Sequence, residues 1–521
     1  MSSIALANGT AFTPSQAQHE LMAALLLDGV RWMSLGSPAR WDWSVRGRDL
    51  GSVPRRLDFN TSQMRLLHTR RADELAAFAR AIDGVTGTDG HDGHPLGHRG
   101  FWTSDYAVIH SESDAGMTWM SSVHMHSNRT VSARCVNGQG AMNEHTGDGM
   151  VYTYYPSDNA RGYDGAFANW DWRRLPGITA AVESEMLVCN YSQQLLHDSQ
   201  VFMNATGTVS DGLSGISALR LRSHGAEALK AVAMVPQGLV HLVSGVTCNK
   251  TYSSTRAFKT IDSIADNATM NACGEIVTTI ENRVSQGPGV FLMCNHSLQR
   301  VMPGTLRQGY HGCNWAWHNS TGYLIQPDTT ILITNGAETN KSLSLFSIAI
   351  PHDTLSPSST ASPKWVMTIP GTGLDAMRSV SSKGNDLVII ANNERIQAVW
   401  DVRRVQVLAA IWVANETHPV NLTWAPVLSL SAIRVDRPCL LLIRQSSDCG
   451  SFTVTASDPS NDAHAVQALH VTLTGDVGAC VCVVPPCPCA TEGSDTSVVL
   501  QLPQGYDAGR SVDVTCIPHM C

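Results

Sequence analysis

The chain has 521 residues, 43% of them hydrophobic and 15% charged, with a net charge of -8. That is enough apolar material for two or three domains and too little charge for a disordered chain. The acidic balance argues against a dedicated nucleic-acid binder, and no apolar run is long enough to cross a bilayer as a helix.

Residues 1–83 read as helical. From Gln16 to Leu35, the positions of Leu21, Ala24, Leu25, Leu27 and Val30 approximate helical spacing. Thr13-Pro14-Ser15 resembles a helix start, and Arg71 to Ile82 repeats the helical habit. Between them, Trp41 to Arg48 reads as extended and loop-like. Residues 84–100, rich in Gly and His, read as a linker or exposed loop. From Phe101 onward, short Val/Thr/Ile/Tyr/Trp runs alternate with Gly, Asn, Asp and Pro turns, the pattern of large antiparallel sheets. A boundary is expected between Pro370 and Asn385, dividing a unit at 101–371 from a smaller β-sandwich at 386–521.

Compartment is legible in the composition. Twelve Asn-x-Ser/Thr sequons begin at Asn8, Asn60, Asn128, Asn190, Asn204, Asn249, Asn267, Asn295, Asn319, Asn340, Asn415 and Asn421. Together with 14 cysteines clustered toward the C-terminus, they imply an extracellular, oxidising setting. The opening residues lack the features of a signal peptide, so the expectation is a chain incomplete at its N-terminus. Cys439, Cys449, Cys480, Cys482, Cys487, Cys489, Cys516 and Cys521 are expected to form disulfides rather than a metal site. His91, His94 and His98, with Asp89 and Asp92, read as a solvated loop, because a glycine-rich segment holds metal ligands poorly.

Four features occur in an order that resembles the central domain of polysaccharide lyase family 8, which includes hyaluronate, chondroitin AC and xanthan lyases. Arg129-Thr130 follows Asp105 and His110. Asn137 precedes Gly147-Asp148-Gly149 and the aromatic run Tyr152 to Tyr155. Trp170-Asp-Trp-Arg-Arg-Leu-Pro-Gly-Ile-Thr179 is the most specific run, and Val209-Ser-Asp-Gly212 follows it. Trp43-Ser-Val-Arg-Gly-Arg48 is similar to the element that closes the family's helical toroid. The resemblance implies a mainly β fold: a large antiparallel β super-sandwich and a smaller C-terminal β-sandwich, preceded by the last helices of an α/α toroid. It also implies β-elimination on acidic, uronic-acid-containing polysaccharides, a polysaccharide partner and no cofactor; a monomer with no nucleic-acid or membrane partner is expected.

Such chemistry needs a base for the C5 proton, an acid for the leaving oxygen and donors that neutralise the carboxylate. The family's Asn, His and Tyr precede its Gly-Arg element, whereas the first tyrosine here is Tyr106 and His19 stands too close to Arg48. No catalytic residue is therefore assigned, and the chain alone is expected to cleave nothing. Arg48 matches a sugar-contacting family arginine, although pairing with a carboxylate such as Asp49 would suffice to close the fold. The second family arginine would fall at Ser52, so its contact is lost or moved to Arg55 or Arg56. Asn137 matches a cleft asparagine or is an ordinary turn residue. Arg134 stands where the family has a glutamate, reversing the charge. Trp170, Trp172 and Pro176-Gly177 read as structural. Some members hold a metal beside this run; with Asp171 and Glu183 present but Arg173 in place of an acid, none is expected here. Three functions compete: a lyase, a non-catalytic module that binds acidic glycans, and a structural β protein.

Overall fold

A computed structural model of the chain describes residues 7, 9–46, 56–85, 93–127, 145–156, 162–166, 169–182, 205–223, 226–248, 275–337, 341–352, 360–383, 386–414, 420–423, 430–446, 451–460, 468–475, 481–482, 489–492 and 495–517.

Helix α1 (Gln16–Ala24) starts at a reciprocal cap: the Ser15 hydroxyl accepts from the Gln18 backbone while the Gln18 side chain accepts from Ser15. It stops well short of Leu35. A π turn (Leu25–Gly29) and a 3-10 turn (Val30–Met33) follow, because Gly29 leaves the helical region at φ -113°, ψ -82°. The widened turn buries Leu26 and Leu27 against Leu75, Phe78, Ala79 and Ile82. Those four lie on α2 (Ala72–Asp83), which ends at Gly84 with φ 79°. Ser34–Leu35 is extended and pairs with Arg40–Trp41.

The body of the chain is antiparallel β. A four-stranded sheet runs β1 (Gly97–Phe101), β2 (Tyr106–Glu112), β3 (Thr118–Met125), β4 (Asp148–Tyr154). Successive side chains point to opposite faces, and here both faces are buried. Ala107, Ile109, Trp119, Val123 and Val151 pack on a nine-stranded sheet through Leu219, Leu221, Ala228, Val232 and Met234. Tyr106, Val108, Met120, Met150, Tyr152 and Tyr154 pack on Trp32, Leu35 and Trp43 from the helical segment and on Tyr163, Trp170 and Leu175. The nine-stranded sheet also faces a five-stranded sheet across Val290, Leu292, Tyr323, Ile333, Phe346 and Ile348. Together these sheets form the large super-sandwich.

Its outer face is covered by a smaller β-sandwich. Val399, Leu408, Trp412, Leu440 and Leu442 pack against Val209, Ile216, Leu229 and Ala231. That sandwich, of seven and five strands, has its own core around Trp400, Leu441, Phe452, Val471 and Leu500.

Three expectations are corrected. The stretch expected to be a linker contains β1, and His98 is buried at 2% exposure, not solvated. His94 lies against the Gly36 carbonyl at 3.0 Å and stacks on His110. Glycines explain β1: a Cβ on Gly97 would come within 2.2 Å of the Gly212 carbonyl oxygen, so only a bare backbone brings the strand this close. His98 then donates its N–H to that oxygen, and its ring meets the Ser210 hydroxyl. Between Pro370 and Asn385, where the boundary is expected, a further helix, Leu374–Lys383, tucks Met377 beneath the sheet. Finally, Cys439 keeps a free, buried thiol, which burial pushes upward, so the expected pairing does not extend to it. Cys449, Cys480, Cys487 and Cys521 lie outside the described residues, as do the side chains of Cys482 and Cys489. In the central unit Cys294 and Cys313 form a disulfide, and Cys248 is also disulfide-bonded.

Candidate functional site

Arg48, Arg134 and Asn137 lie outside the described residues; the structure defines the two stems that lead to them. The first stem is the 3-10 turn Trp43–Arg46. Asp42, 1% exposed, anchors it. Its carboxylate accepts the Tyr154 hydroxyl at Oδ1 and the Tyr106 hydroxyl at Oδ2, each at 2.8 Å, and the Ser44 backbone N–H at 2.9 Å. The Tyr154 oxygen in turn accepts the Trp43 backbone N–H at 3.2 Å. Burial first, and then the Asp42 charge, push both phenols well above their ordinary range, so they stay protonated and donate.

The second stem closes over the ends of β3 and β4. The His126 ring nitrogen Nδ1 meets the Gly147 carbonyl at 2.9 Å, and His145 Nδ1 meets the buried Asp148 carboxylate at 2.8 Å. Gly147 tolerates no side chain, since a Cβ there would lie 2.3 Å from the His126 ring. Beneath them Lys230 donates to the carbonyls of Asp148 (2.9 Å) and Gly177 (2.6 Å). Burial pushes this ammonium down to about 7, with Asp148 opposing. Lys230 thus ties the start of β4 to the end of the Trp170–Gly177 run.

The stems are linked through one end of the four-stranded sheet. Tyr106, which holds Asp42, is in register with His124, and the adjacent Asp105 carbonyl accepts the Met125 N–H at 3.0 Å. Asp42 is thus tied through Tyr106 to the end of the sheet from which residues 126–127 leave and to which residues 145–148 return, while Tyr154, in register with Met120, holds it from farther along the sheet.

The Trp170 run is structural. Trp170 is buried, donates its indole N–H to the Asn282 carbonyl and stands edge-on to Trp172. Burial works to raise the Asp171 carboxyl, but Arg173 and then Arg174 outweigh it and hold it below its ordinary value. Arg173 spans both of its oxygens, at 2.8 and 3.0 Å. Glu183 lies outside the described residues. Among the described residues no group of three or more His, Cys, Asp or Glu is arranged to hold a metal. Arg56, considered for the second arginine contact, is exposed and bridges Arg40 through the backbone; Ser52 and Arg55 are outside the described residues. The Asp42 anchor and the Lys230 tie were not read from the sequence. Their partners are 64 to 112 and 53 to 82 residues away, and only tertiary structure brings them together.

Residues 96–347 match the polysaccharide lyase family 8 super-sandwich domain, and residues 388–467 match that family's C-terminal β-sandwich domain. The chain belongs to polysaccharide lyase family 8. It is 22% identical over 456 residues to the chondroitinase-AC of Pedobacter heparinus, covering 83% of this chain and 57% of that protein. The chain thus spans little more than half the length of that curated relative. Among solved structures, a chondroitinase AC lyase characterised through oligosaccharide complexes superposes with a TM-score of 0.74 at 18% identity, over 98% of this chain and 67% of that one. The Streptomyces coelicolor A3 chondroitin AC lyase in complex with chondroitin sulphate gives 0.69 at 16% identity, covering 99% and 68%. A Paenibacillus xanthan lyase gives 0.72 at 15% identity, covering 99% and 49%. At these identities the structural likeness speaks for the fold.

Proposed function

We propose that this family 8 chain belongs to a secreted lyase that cuts acidic, uronic-acid-containing polysaccharides by β-elimination, and that its β domains supply the substrate-facing wall. One observation carries the reading: Tyr106 ties the stem leading to Arg48 to the end of the sheet from which the stem leading to Arg134 and Asn137 departs. Guanidinium at Arg48 suits a carboxylate or sulfate, and Asn137 supplies an amide donor. Arg134 adds positive charge where the family carries a glutamate. The twelve sequons and the Cys294–Cys313 disulfide support secretion. The protein is proposed to act as a monomer.

A second reading, a non-catalytic binder of acidic glycans, is favoured by Arg134, which reverses the charge where the family carries a glutamate. The test is formation of unsaturated uronate from chondroitin, hyaluronan and xanthan, followed by absorbance. Protein isolated from its source is expected to release product. The 521-residue chain by itself is expected to bind without cleaving, because neither a base nor an acid is assigned within it. Binding without product in both preparations selects the second reading, and failure to bind any of these polymers sinks both.

A further inference from the structure

Two outer strands of the super-sandwich lie side by side in sequence. Ser297–Val301 ends the nine-stranded sheet and Thr305–Tyr310 ends the five-stranded one. Among the described residues, Ser297–Val301 pairs on one side only, with Val290–Cys294. Its first four residues, Ser297-Leu-Gln-Arg300, are exposed, and Leu298 (37%), Met302 (68%) and Leu306 (45%) add exposed apolar side chains on and beside it. An open edge with apolar side chains is a template for pairing with another chain.

The turn that begins this edge is Cys294-Asn295-His296-Ser297, where Cys294 and Ser297 are in register. Asn295 and His296 have φ of 51° and 61°, the backbone of a two-residue hairpin turn that asparagine tolerates well. Both residues and Ser297 are exposed. Asn295 and Ser297 complete a sequon, and neither side chain hydrogen-bonds to another described residue. The Asn295 side-chain oxygen Oδ1 faces Gly312: it would lie 2.3 Å from a Cβ there, against 3.5 Å for Nδ2. The turn is fastened by the Cys294–Cys313 disulfide. Asn319 makes the contrast: it is half-buried, its amide reaches Gln286, and its sequon threonine, Thr321, is buried with its hydroxyl on Tyr155 at 2.6 Å. Asn60 is exposed but its side-chain oxygen caps a short helix.

We propose that Asn295 carries an N-linked oligosaccharide whose bulk covers the Ser297–Val301 edge. The proposal rests on the secreted reading above. The donor is an oligosaccharide on a lipid pyrophosphate carrier. A bond forms between its anomeric carbon and Asn295 Nδ2, the bond from that carbon to the phosphate oxygen breaks, and the proton lost from Nδ2 goes with the diphosphate. The sugar leaves an exposed turn without disturbing a buried contact, and a hydrated glycan beside Leu298 and Met302 blocks edge-to-edge pairing.

The experiment maps protein isolated from its native source by peptide-N-glycosidase digestion in heavy-oxygen water, with disulfides mapped in parallel. Most Asn295-containing peptides are expected to appear as labelled aspartate. In secreted recombinant protein, Ser297→Ala should abolish that label and raise the self-associated fraction in size-exclusion chromatography several-fold, while Ser297→Thr should keep both label and monomer. Unlabelled Asn295 in protein whose Cys294–Cys313 disulfide has formed overturns the proposal and leaves the secreted reading standing. Reduced, unlabelled protein found inside cells overturns both. A labelled site whose loss leaves the protein monomeric overturns the edge-covering role.

Discussion

Tyr154 donates its hydroxyl to Asp42 at 2.8 Å across 112 residues of sequence, and through that bond the β-sheet fixes the turn leading to Arg48. Tyr106 reaches the other carboxylate oxygen from a second strand. Asp42→Ala leaves two buried phenols without an acceptor and should cost about 2–4 kcal/mol. Asp42→Asn, which keeps one acceptor oxygen, should cost less. Thermal unfolding checks this, and an unchanged midpoint for Asp42→Ala would remove the anchor from the account.

Lys230 makes stability depend on pH on the alkaline side. Its ammonium titrates at about 7 when folded, against 10.5 ordinarily, because burial disfavours the charge. Between those values the unfolded chain holds a proton that the folded chain has released, so stability rises with pH across that window. Lys230→Met should flatten the rise. Chemical denaturation of both proteins at about pH 7 and about pH 9.5 tests it; parallel profiles would refute the assignment.

Burial acts on the histidines in the acid range. It pushes His98, His110, His241 and His318 down to about 3 and His352 to about 4, from an ordinary 6.5. Their contribution is complete above 6.5 and drains away as pH falls toward 3, because only the unfolded chain takes up these protons. Denaturation midpoints should drop steeply between about pH 7 and about pH 5. A flat profile there would mean that these rings are not enclosed as described.

Much of this architecture was legible in the sequence, and the failures have physical causes. Strand texture after Phe101 was readable because the period of two is strong. Along Ala226–Val235, alternate residues feed two different cores. β1 was not readable, since Gly97-His-Arg-Gly100 carries no apolar pattern and is held by close glycine contact with residues 208–212. Helical spacing in the sequence overshoots α1 because Leu25 and Leu27 keep it through a π turn. Arg48, Arg134 and Asn137 follow only from the family resemblance and lie outside the described residues, and the resemblance says nothing of the Asp42 and Lys230 contacts beside them.

The Cys294–Cys313 disulfide closes a loop with a sequence separation of 19, for which chain-entropy reasoning gives about 3 kcal/mol. Replacing both cysteines with serine should lower the thermal midpoint measurably. Reductant should then shift the parent by more than the variant. Identical shifts would show that this bridge contributes nothing.

Titration of the chain with chondroitin sulphate by calorimetry shows whether this end of the sheet faces the polysaccharide. Saturable binding is expected that weakens as salt rises and falls about tenfold or more for Arg48→Ala, consistent with loss of a charge-assisted contact. Asn137→Ala should weaken it too, with folding unchanged in both variants. Absence of binding at low salt, or binding indifferent to both substitutions, would contradict the claim that this end of the sheet faces the polysaccharide.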